Sequence, residues 1–513
     1  MLIAVVMLLA TLFYPFGYDQ AVFGTAGEMI LRGAAPYRDF IDTKPPLIYY
    51  LYSAPLAVFG RHEWSIHAFD ILWQCITAFC FFRILRRRFS TDHSLLAVSL
   101  TMILYAGSGF WMTAEAESFS ILPSLLLLDG TLRAIDRPSK SLLHGSLAGI
   151  ASVILFSLKY TLAIGAIPAL AFVIFSYRIE WREKLSFLAG FLASDCFILG
   201  GCVIMFARSH VLHPFFQSLD WLSHYASIVP VQHPLAQELL IVFPERIIYS
   251  MSVTLFAFAT WGIIRWRWGE DTLPKYESMS SLLVLTFLAQ LLGILIERKI
   301  EFPYQYTRAL WAVTPFMASA ILFAEKKFLR RENIYRLAVS VALIVLVTLF
   351  SPLPRIFTQT ISWPAIALSG ENTAAEVQRR IPDYFAEEQQ QVARYLDSKM
   401  ASSDRLFFWG NDVGIYFFAD RLPRTVCLTA TPFRTSFSPP EWKDTLLRQL
   451  QSEPPKYFVV EFGDSRPAIT ESALDSYSAL LQWKGLRVWL MGHYGVDTTI
   501  GHFRILRLTA PTH

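Results

Sequence analysis

Apolar runs of roughly one bilayer's length follow one another along the first two thirds of the chain, parted by short charged connectors, and then stop. Eleven such runs stand out, at about 1–16, 64–84, 93–110, 118–134, 143–158, 161–177, 185–207, 247–264, 279–296, 309–324 and 336–353. A hydrocarbon core about 30 Å thick needs roughly 20 mainly apolar residues per helical crossing. Several runs fall short of that, so their ends are set only to within a few residues. The first lacks a basic leader and a small-residue cleavage site, and reads as a retained span. Past Pro352 and Pro354 the pattern changes. FAEEQQQVARYLDSKM (385–400) has the period of an amphipathic helix, and RLFFWG (405–410), KYFVVEFGD (456–464) and HFRILRLT (502–509) read as strands. Short helices are expected near 411–419 and 441–452. The predicted organisation is a polytopic α-helical membrane domain over 1–354, followed by a small external α/β domain over 355–513.

Composition agrees. With 54% hydrophobic and 17% charged residues in 513, the chain is too apolar for an ordinary soluble protein. Basic residues crowd one set of connectors: Arg83 to Arg88, Arg133 to Lys140, Arg178 to Lys184, Arg265 to Lys275 and Lys326 to Arg336. By the positive-inside rule these are cytoplasmic. The N-terminus is then cytoplasmic, and the loops 17–63 and 208–246 and the C-terminal domain are external. That asymmetry accounts for the net charge of +4 and leaves no reason to invoke nucleic acid. Four cysteines lie in spans and Cys427 stands alone in the tail, so neither a disulfide nor a metal-ligand spacing is present.

The external face carries the candidate chemistry. The loop after the first span holds Asp19, Glu28, Arg32, Arg38, Asp39, Asp42 and Lys44, and Leu47–Phe59 within it reads as an interfacial amphipathic helix. Asp39 and Asp42 read as scaffold acids, pairing with Arg38 and Lys44 or capping the turn into Pro45-Pro46. Glu115 and Glu117 open the fourth span, where the helix dipole alone favours an acid. Lys159 interrupts apolar sequence between two spans and needs either an anionic partner or a route to the headgroups. Tyr304, Tyr306 and Arg308 precede a Pro315-containing span, and Tyr at that level also suits an aromatic belt. Arg208 and His213 lie in the second external loop. Asp70 and Asp195 sit inside spans without an evident partner.

Asp19 just beyond the first span, a small-residue stretch through Gly33, Pro36-Tyr37-Arg38-Asp39, and Lys44-Pro45-Pro46 together resemble the GT-C glycosyltransferases that use polyprenol-phosphate sugars. These include glycosyltransferase family 39, with its protein mannosyltransferase and aminoarabinose transferase-like bacterial members. The resemblance implies a GT-C fold and a transfer, with inversion, from an undecaprenyl-phosphate sugar to an envelope acceptor: lipid A or lipopolysaccharide, a glycan, another lipid or a protein. It implies that Asp19 is the catalytic base and Glu117 a second acid of the same cavity, with Glu115 in reserve. Lys44, Lys159, Arg38, Arg308 and Tyr306 would contact the donor phosphate, and Arg208, His213 and Tyr304 the acceptor. Many members have Asp-Glu where this chain has Asp19-Gln20, which leaves the base in place and weakens a divalent-metal reading; no cofactor is required. The location implied is the bacterial cytoplasmic membrane. A transporter or lipid flippase would rely on Asp70 and Asp195 instead. A non-catalytic envelope-assembly protein would rely on its tail domain.

Overall fold

Nine of the eleven apolar runs fall on described residues, and each forms a helix over most of its length. The computed structural model describes residues 1–228, 277–297, 303–324 and 353–509. The expected span 247–264, all but the last residue of 336–353, and residues 229–246 of the second external loop lie outside the described residues. Five described helices are long and apolar enough to cross a membrane: Glu63–Leu85, Ala116–Asp136, Pro138–Leu158, Trp181–Arg208 and Ser278–Glu297. A sixth is added if Leu2–Phe13 and Tyr18–Leu31 count as one broken span. The described chain divides into two compact units, one from within 1–14, 67–201 and 233–365, the other from within 15–66, 202–232 and 366–513.

The first unit is the helical bundle. Its core gathers Leu8, Phe81, Leu125, Leu283, Trp311 and Phe316 from different helices. Within a bilayer such contacts act through close packing, because lipid is as apolar as the side chains. Glycine makes the closest approach. Gly145 and Gly149 on the Ser141–Leu158 helix, spaced as small-x-x-x-small, face the backbone of Trp181–Arg208. A Cβ at Gly145 would stand 2.0 Å from the Phe187 carbonyl oxygen, and one at Gly149 2.4 Å from that of Phe191. Gly190 returns the contact at 2.2 Å from the Leu142 carbonyl. Gly145→Val is therefore expected to cost at least the ~1–3 kcal/mol of ordinary overpacking, read as a lower unfolding midpoint in detergent. A midpoint equal to wild type would mean that these backbones do not touch.

Two of the basic connectors are paired with acids. Arg87 pairs with Asp129 and Arg88 with Asp136, so the connectors at 83–90 and 133–140 meet at one end of the bundle. Asp70 is satisfied inside it: Tyr105 Oη donates to Oδ2 at 2.6 Å and Gln74 Nε2 to Oδ1 at 3.2 Å. This closed network makes Asp70 a packing contact.

The second unit carries a four-stranded sheet. Strands β1 (Leu406–Trp409), β2 (Tyr457–Glu461), β3 (Tyr494–Ile500) and β4 (Phe503–Leu508) lie in the order β1-β2-β4-β3. β1 and β2 are parallel and joined through the Pro440–Ser452 helix; β4 is antiparallel to both β2 and β3. The Ala386–Lys399 helix buries Ala386, Gln389, Val392, Ala393 and Leu396, the stripe its sequence period predicts, with Glu387 and Glu388 in its first turn and Lys399 in its last. β3 was not expected from the sequence. It is an edge strand in which only Tyr494 of the seven residues is buried, so it lacks the apolar alternation that marks the other three.

Acids plug the carboxyl ends of the parallel pair. Glu461 Oε2 accepts the N–H groups of Asn411 and Asp412 at 2.6 and 3.0 Å. A Cβ at Gly410 would meet that same oxygen at 2.3 Å, so only glycine fits there. Asp464 accepts from Asn411, Ser476 and Arg434, the ion pair with Arg434 being 3.0 Å long and 1% exposed on both sides. Burial and the neighbouring carboxylates push Glu461 well up, and burial raises Asp412 to about 7. Folded Asp412 thus holds its proton up to near neutrality, while the unfolded chain releases it near the usual aspartate value of about 4. Stability is consequently lost as pH rises through that window. Asp412→Asn is expected to flatten the decline and raise the unfolding midpoint at pH 8 but not at pH 4. An unchanged slope between those pH values would assign the effect to other groups.

Candidate functional site

Asp19 sits where one helix has stopped and another begins. Residues 14–17 run without helix between Thr11–Phe13 and Tyr18–Leu31, and Asp19 occupies the first turn of the latter, where the helix dipole favours an acid. Gln20, in the position that carries Glu in many GT-C members, is buried and accepts the Gly17 N–H at 2.7 Å. It caps this helix, a job that needs no charge. Lys44 Nζ approaches Asp19 Oδ1 at 3.1 Å and lies 4.2 Å from the centre of the Phe23 ring. Oδ2 of Asp19 has no hydrogen bond among the described residues, and the side chain keeps 21% of its exposure. One carboxylate oxygen is thus fixed and the other is open.

The rest of the PYRD…KPP segment is scaffold around this pair. Tyr37 adopts a left-handed backbone (φ 68°) and its hydroxyl donates to the Lys44 carbonyl at 2.7 Å, closing the loop on itself. Arg38 forks onto Asp39 at 2.9 and 2.7 Å and donates to the Ser209 carbonyl at 3.0 Å. The pairing of Asp39 with Arg38 is as expected. The ion pair expected between Asp42 and Lys44 goes instead to Asp19, because Asp42 turns back to accept the Thr43 N–H at 2.6 Å. Burial pushes the Asp42 carboxyl up against the opposing pull of Lys44. The Leu47–Phe59 helix forms as predicted and packs on Tyr18–Leu31, with Tyr49 and Tyr52 edge-on to Phe23.

In the helical unit the structure brings together Glu117, Lys159 and Arg308, as well as residues not foreseen. Lys159 Nζ contacts Glu117 Oε1 at 2.6 Å, Glu297 Oε2 at 2.5 Å and Gln305 Oε1 at 3.0 Å. Arg308 Nη1 donates to Glu297 Oε1 at 2.7 Å, and Gln305 Nε2 to Glu297 Oε2 at 2.9 Å. The Thr161 hydroxyl donates to the same Glu297 carboxylate. Glu117 is 2% exposed, Glu297 7% and Arg308 0%. Burial this deep is not what a dipole-favoured acid at a helix start requires; here two cations and two carboxylates cancel. The balance leaves Arg308 Nε and Nη2 as buried donors without a hydrogen-bond partner among the described residues.

Glu297 and Gln305 were missed as site residues. Glu297 ends an apolar span on the side where Lys159 was placed, and a search for the anion that an intramembrane lysine requires would have found it. Tyr306 is buried beside this network and the Tyr304 ring lies 5.8 Å from Lys159 Nζ. Arg208, the last residue of its helix, and His213 are exposed and form no ion pair among the described residues. No group of His, Cys, Asp and Glu among the described residues could hold a metal ion.

Comparison with known proteins bears on the same regions. Residues 43–199, which include Lys44, Glu117 and Lys159, match the family model of dolichyl-phosphate-mannose-protein mannosyltransferases. No curated protein sequence matches. The crystal structure of ArnT from Cupriavidus metallidurans bound to undecaprenyl phosphate superposes over 99% of this chain and 97% of its own, at 13% identity and a TM-score of 0.59. The Archaeoglobus fulgidus oligosaccharyltransferase in its apo form covers 98% of this chain and 74% of its own, at 12% identity and a TM-score of 0.48. The resemblance to the GT-C glycosyltransferases is therefore borne out by a family match over 43–199 and by a shared fold over nearly the whole chain. The fold is that of a multi-pass membrane protein with a C-terminal domain.

Proposed function

We propose that this protein is an inverting glycosyltransferase of the bacterial cytoplasmic membrane. It transfers a sugar from an undecaprenyl-phosphate donor to an envelope glycan, lipid or protein on the outer face. The observation that carries this reading is the Asp19 carboxylate, with Oδ1 held by Lys44 and Oδ2 open, in a loop that leads into the matched segment.

The chemistry asks for a base to take the proton of the attacking hydroxyl and for cations to meet charge on the departing lipid phosphate. Asp19 Oδ2 serves as the base. The hydroxyl oxygen bonds to the anomeric carbon as the bond from that carbon to the phosphate oxygen breaks. The phosphate leaves with the electron pair, and the hydroxyl proton passes to Asp19. Lys44 orients the carboxylate; the resemblance to the GT-C enzymes assigns the lipid phosphate to Lys159 and Arg308. Gln305 and Glu297 hold Lys159 in place in the absence of donor. This scheme requires no metal.

The test is turnover of undecaprenyl-phosphate sugars by membranes holding wild type or Asp19→Asn at matched protein levels. Equal turnover would end the proposal.

A further inference from the structure

The second unit contains a half-enclosed cavity of about 320 Å³ in which cationic groups outnumber anionic ones. Arg32, Arg405, Arg421 and Arg424 line it, with Asp404 and Asp420 as the only acids on its wall. Both acids are already matched. Asp420 takes Arg32 at 3.2 Å and Arg61 as well, and Lys456 sits 2.6 Å from Asp404. Arg405 is spent on Glu453. Two guanidiniums remain. Arg424 is exposed and has no ion-pair partner among the described residues. Arg421 is largely buried, its Nη2 lies 3.7 Å from Asp397 and 3.5 Å from the Met400 carbonyl, and its buried Nε has no hydrogen bond among the described residues.

Ordinary solvated arginines are mobile. Arg421 is not, because its Nη1 donates to the carbonyls of Ala419 at 3.3 Å and Asp420 at 3.0 Å. With its terminal nitrogens so occupied, Arg421 lends the cavity edge a fixed positive charge, and the exposed Arg424 offers the guanidinium fork that suits phosphate or carboxylate. The volume lies at the lower end of the range for small-molecule sites, about 300–1,000 Å³, which is room for one charged sugar and not for a whole glycan.

Position says which part of a substrate belongs there. Arg32 directly follows the helix that begins Tyr18-Asp19. Thirteen residues separate it from Asp19, about 20 Å at 1.5 Å per residue. The group held in the cavity is therefore farther from the base than the ring that carries the reacting hydroxyl.

We infer that this cavity is an anion-binding subsite for a phosphate- or carboxylate-bearing sugar in a remote part of an extended acceptor glycan. The inference rests on the glycosyltransferase reading of Asp19 and adds the acceptor's chemical class: acidic, and longer than one sugar. Binding energy gained at this distance is available to orient the reacting hydroxyl. An anionic lipid headgroup offers the same chemistry to the same arginines, so the test separates the two sources.

The full-length protein in phosphatidylcholine nanodiscs is titrated calorimetrically with glucose 6-phosphate, with glucose as the neutral control and no donor present. Saturable binding of glucose 6-phosphate alone is expected, weakened about tenfold in Arg424→Ala, the value of one charge-assisted contact, and further in Arg424→Glu. Arg424 makes no ion pair among the described residues, so both variants are expected to fold with the wild-type unfolding midpoint. Absence of saturable binding, or equal binding by Arg424→Glu, overturns the inference. Loss of glucose 6-phosphate binding when phosphatidylglycerol is added to the nanodiscs also overturns it, by assigning the subsite to a headgroup. Because no turnover is measured, this result stands apart from that of Asp19→Asn.

Discussion

Asp19→Asn is expected to lower turnover of an undecaprenyl-phosphate sugar by about 10²–10⁴-fold, the usual contribution of a positioned general base. The substitution keeps the size and planarity of the side chain and removes its ability to accept the hydroxyl proton. Its structural cost is small, because the pair with Lys44 is partly exposed, at 21% and 31%, and pairs of this kind contribute about 0–1 kcal/mol. Activity and stability therefore separate: the fall should appear in kcat, with the unfolding midpoint within a degree or so of wild type. Gln20 offers no replacement base, since its side-chain oxygen caps the helix at Gly17. A fall in kcat matched by a collapse of the midpoint would make Asp19 a structural residue, and an unchanged kcat would move the base elsewhere.

Glu297→Gln is expected to have the largest effect on stability. Glu297 is the hub of the buried network, meeting Lys159, Arg308, Gln305 and Thr161 through two oxygens. Glutamine preserves its shape and can still accept one or two of these hydrogen bonds. It leaves Arg308, with no exposure, and Lys159, 18% exposed, with Glu117 as the remaining carboxylate of the network. Removing one partner from a buried ion pair costs about 3–5 kcal/mol. Thermal unfolding of the purified full-length protein in detergent reads this as a marked drop in midpoint. The double substitution Glu297→Gln with Arg308→Met removes the stranded cation and should recover part of the loss. If the single variant unfolds like wild type, the cluster is solvated in the folded protein and the charge balance carries no weight.

The sequence was most informative where a physical pattern extends over many residues. Spans such as Glu63–Leu85 and Trp181–Arg208 follow from run length alone, and the Ala386–Lys399 helix follows from its stripe. Strands β1, β2 and β4 were legible because they are buried runs of large apolar residues. β3 was not, since Gly495, Asp497 and two threonines carry no apolar alternation; its place comes from pairing with β4 across Gly501. The Gly145-x-x-x-Gly149 spacing was present in the sequence but showed its use only when Phe187 and Phe191 were seen against it. Among the candidate site residues, Asp19, Lys44, Glu117, Lys159 and Arg308 were singled out by residue type, position relative to spans and family resemblance. Their partners were not.

Hydrophobic run length by itself marked the chain as a multi-pass membrane protein, and the change of pattern after Pro354 marked the strands and helices of its tail. Both properties are sums over neighbouring residues, so they survive without knowledge of the fold. Only the tertiary structure decided which charge meets which: that Lys44 reaches the Asp19 carboxylate, that Lys159 lies between Glu117 and Glu297, and that Arg424 has no ion-pair partner among the described residues. Ion pairing depends on distances of a few ångströms between residues as far apart as positions 117 and 297. Coulomb attraction at such sites depends steeply on separation and burial, and neither is encoded locally.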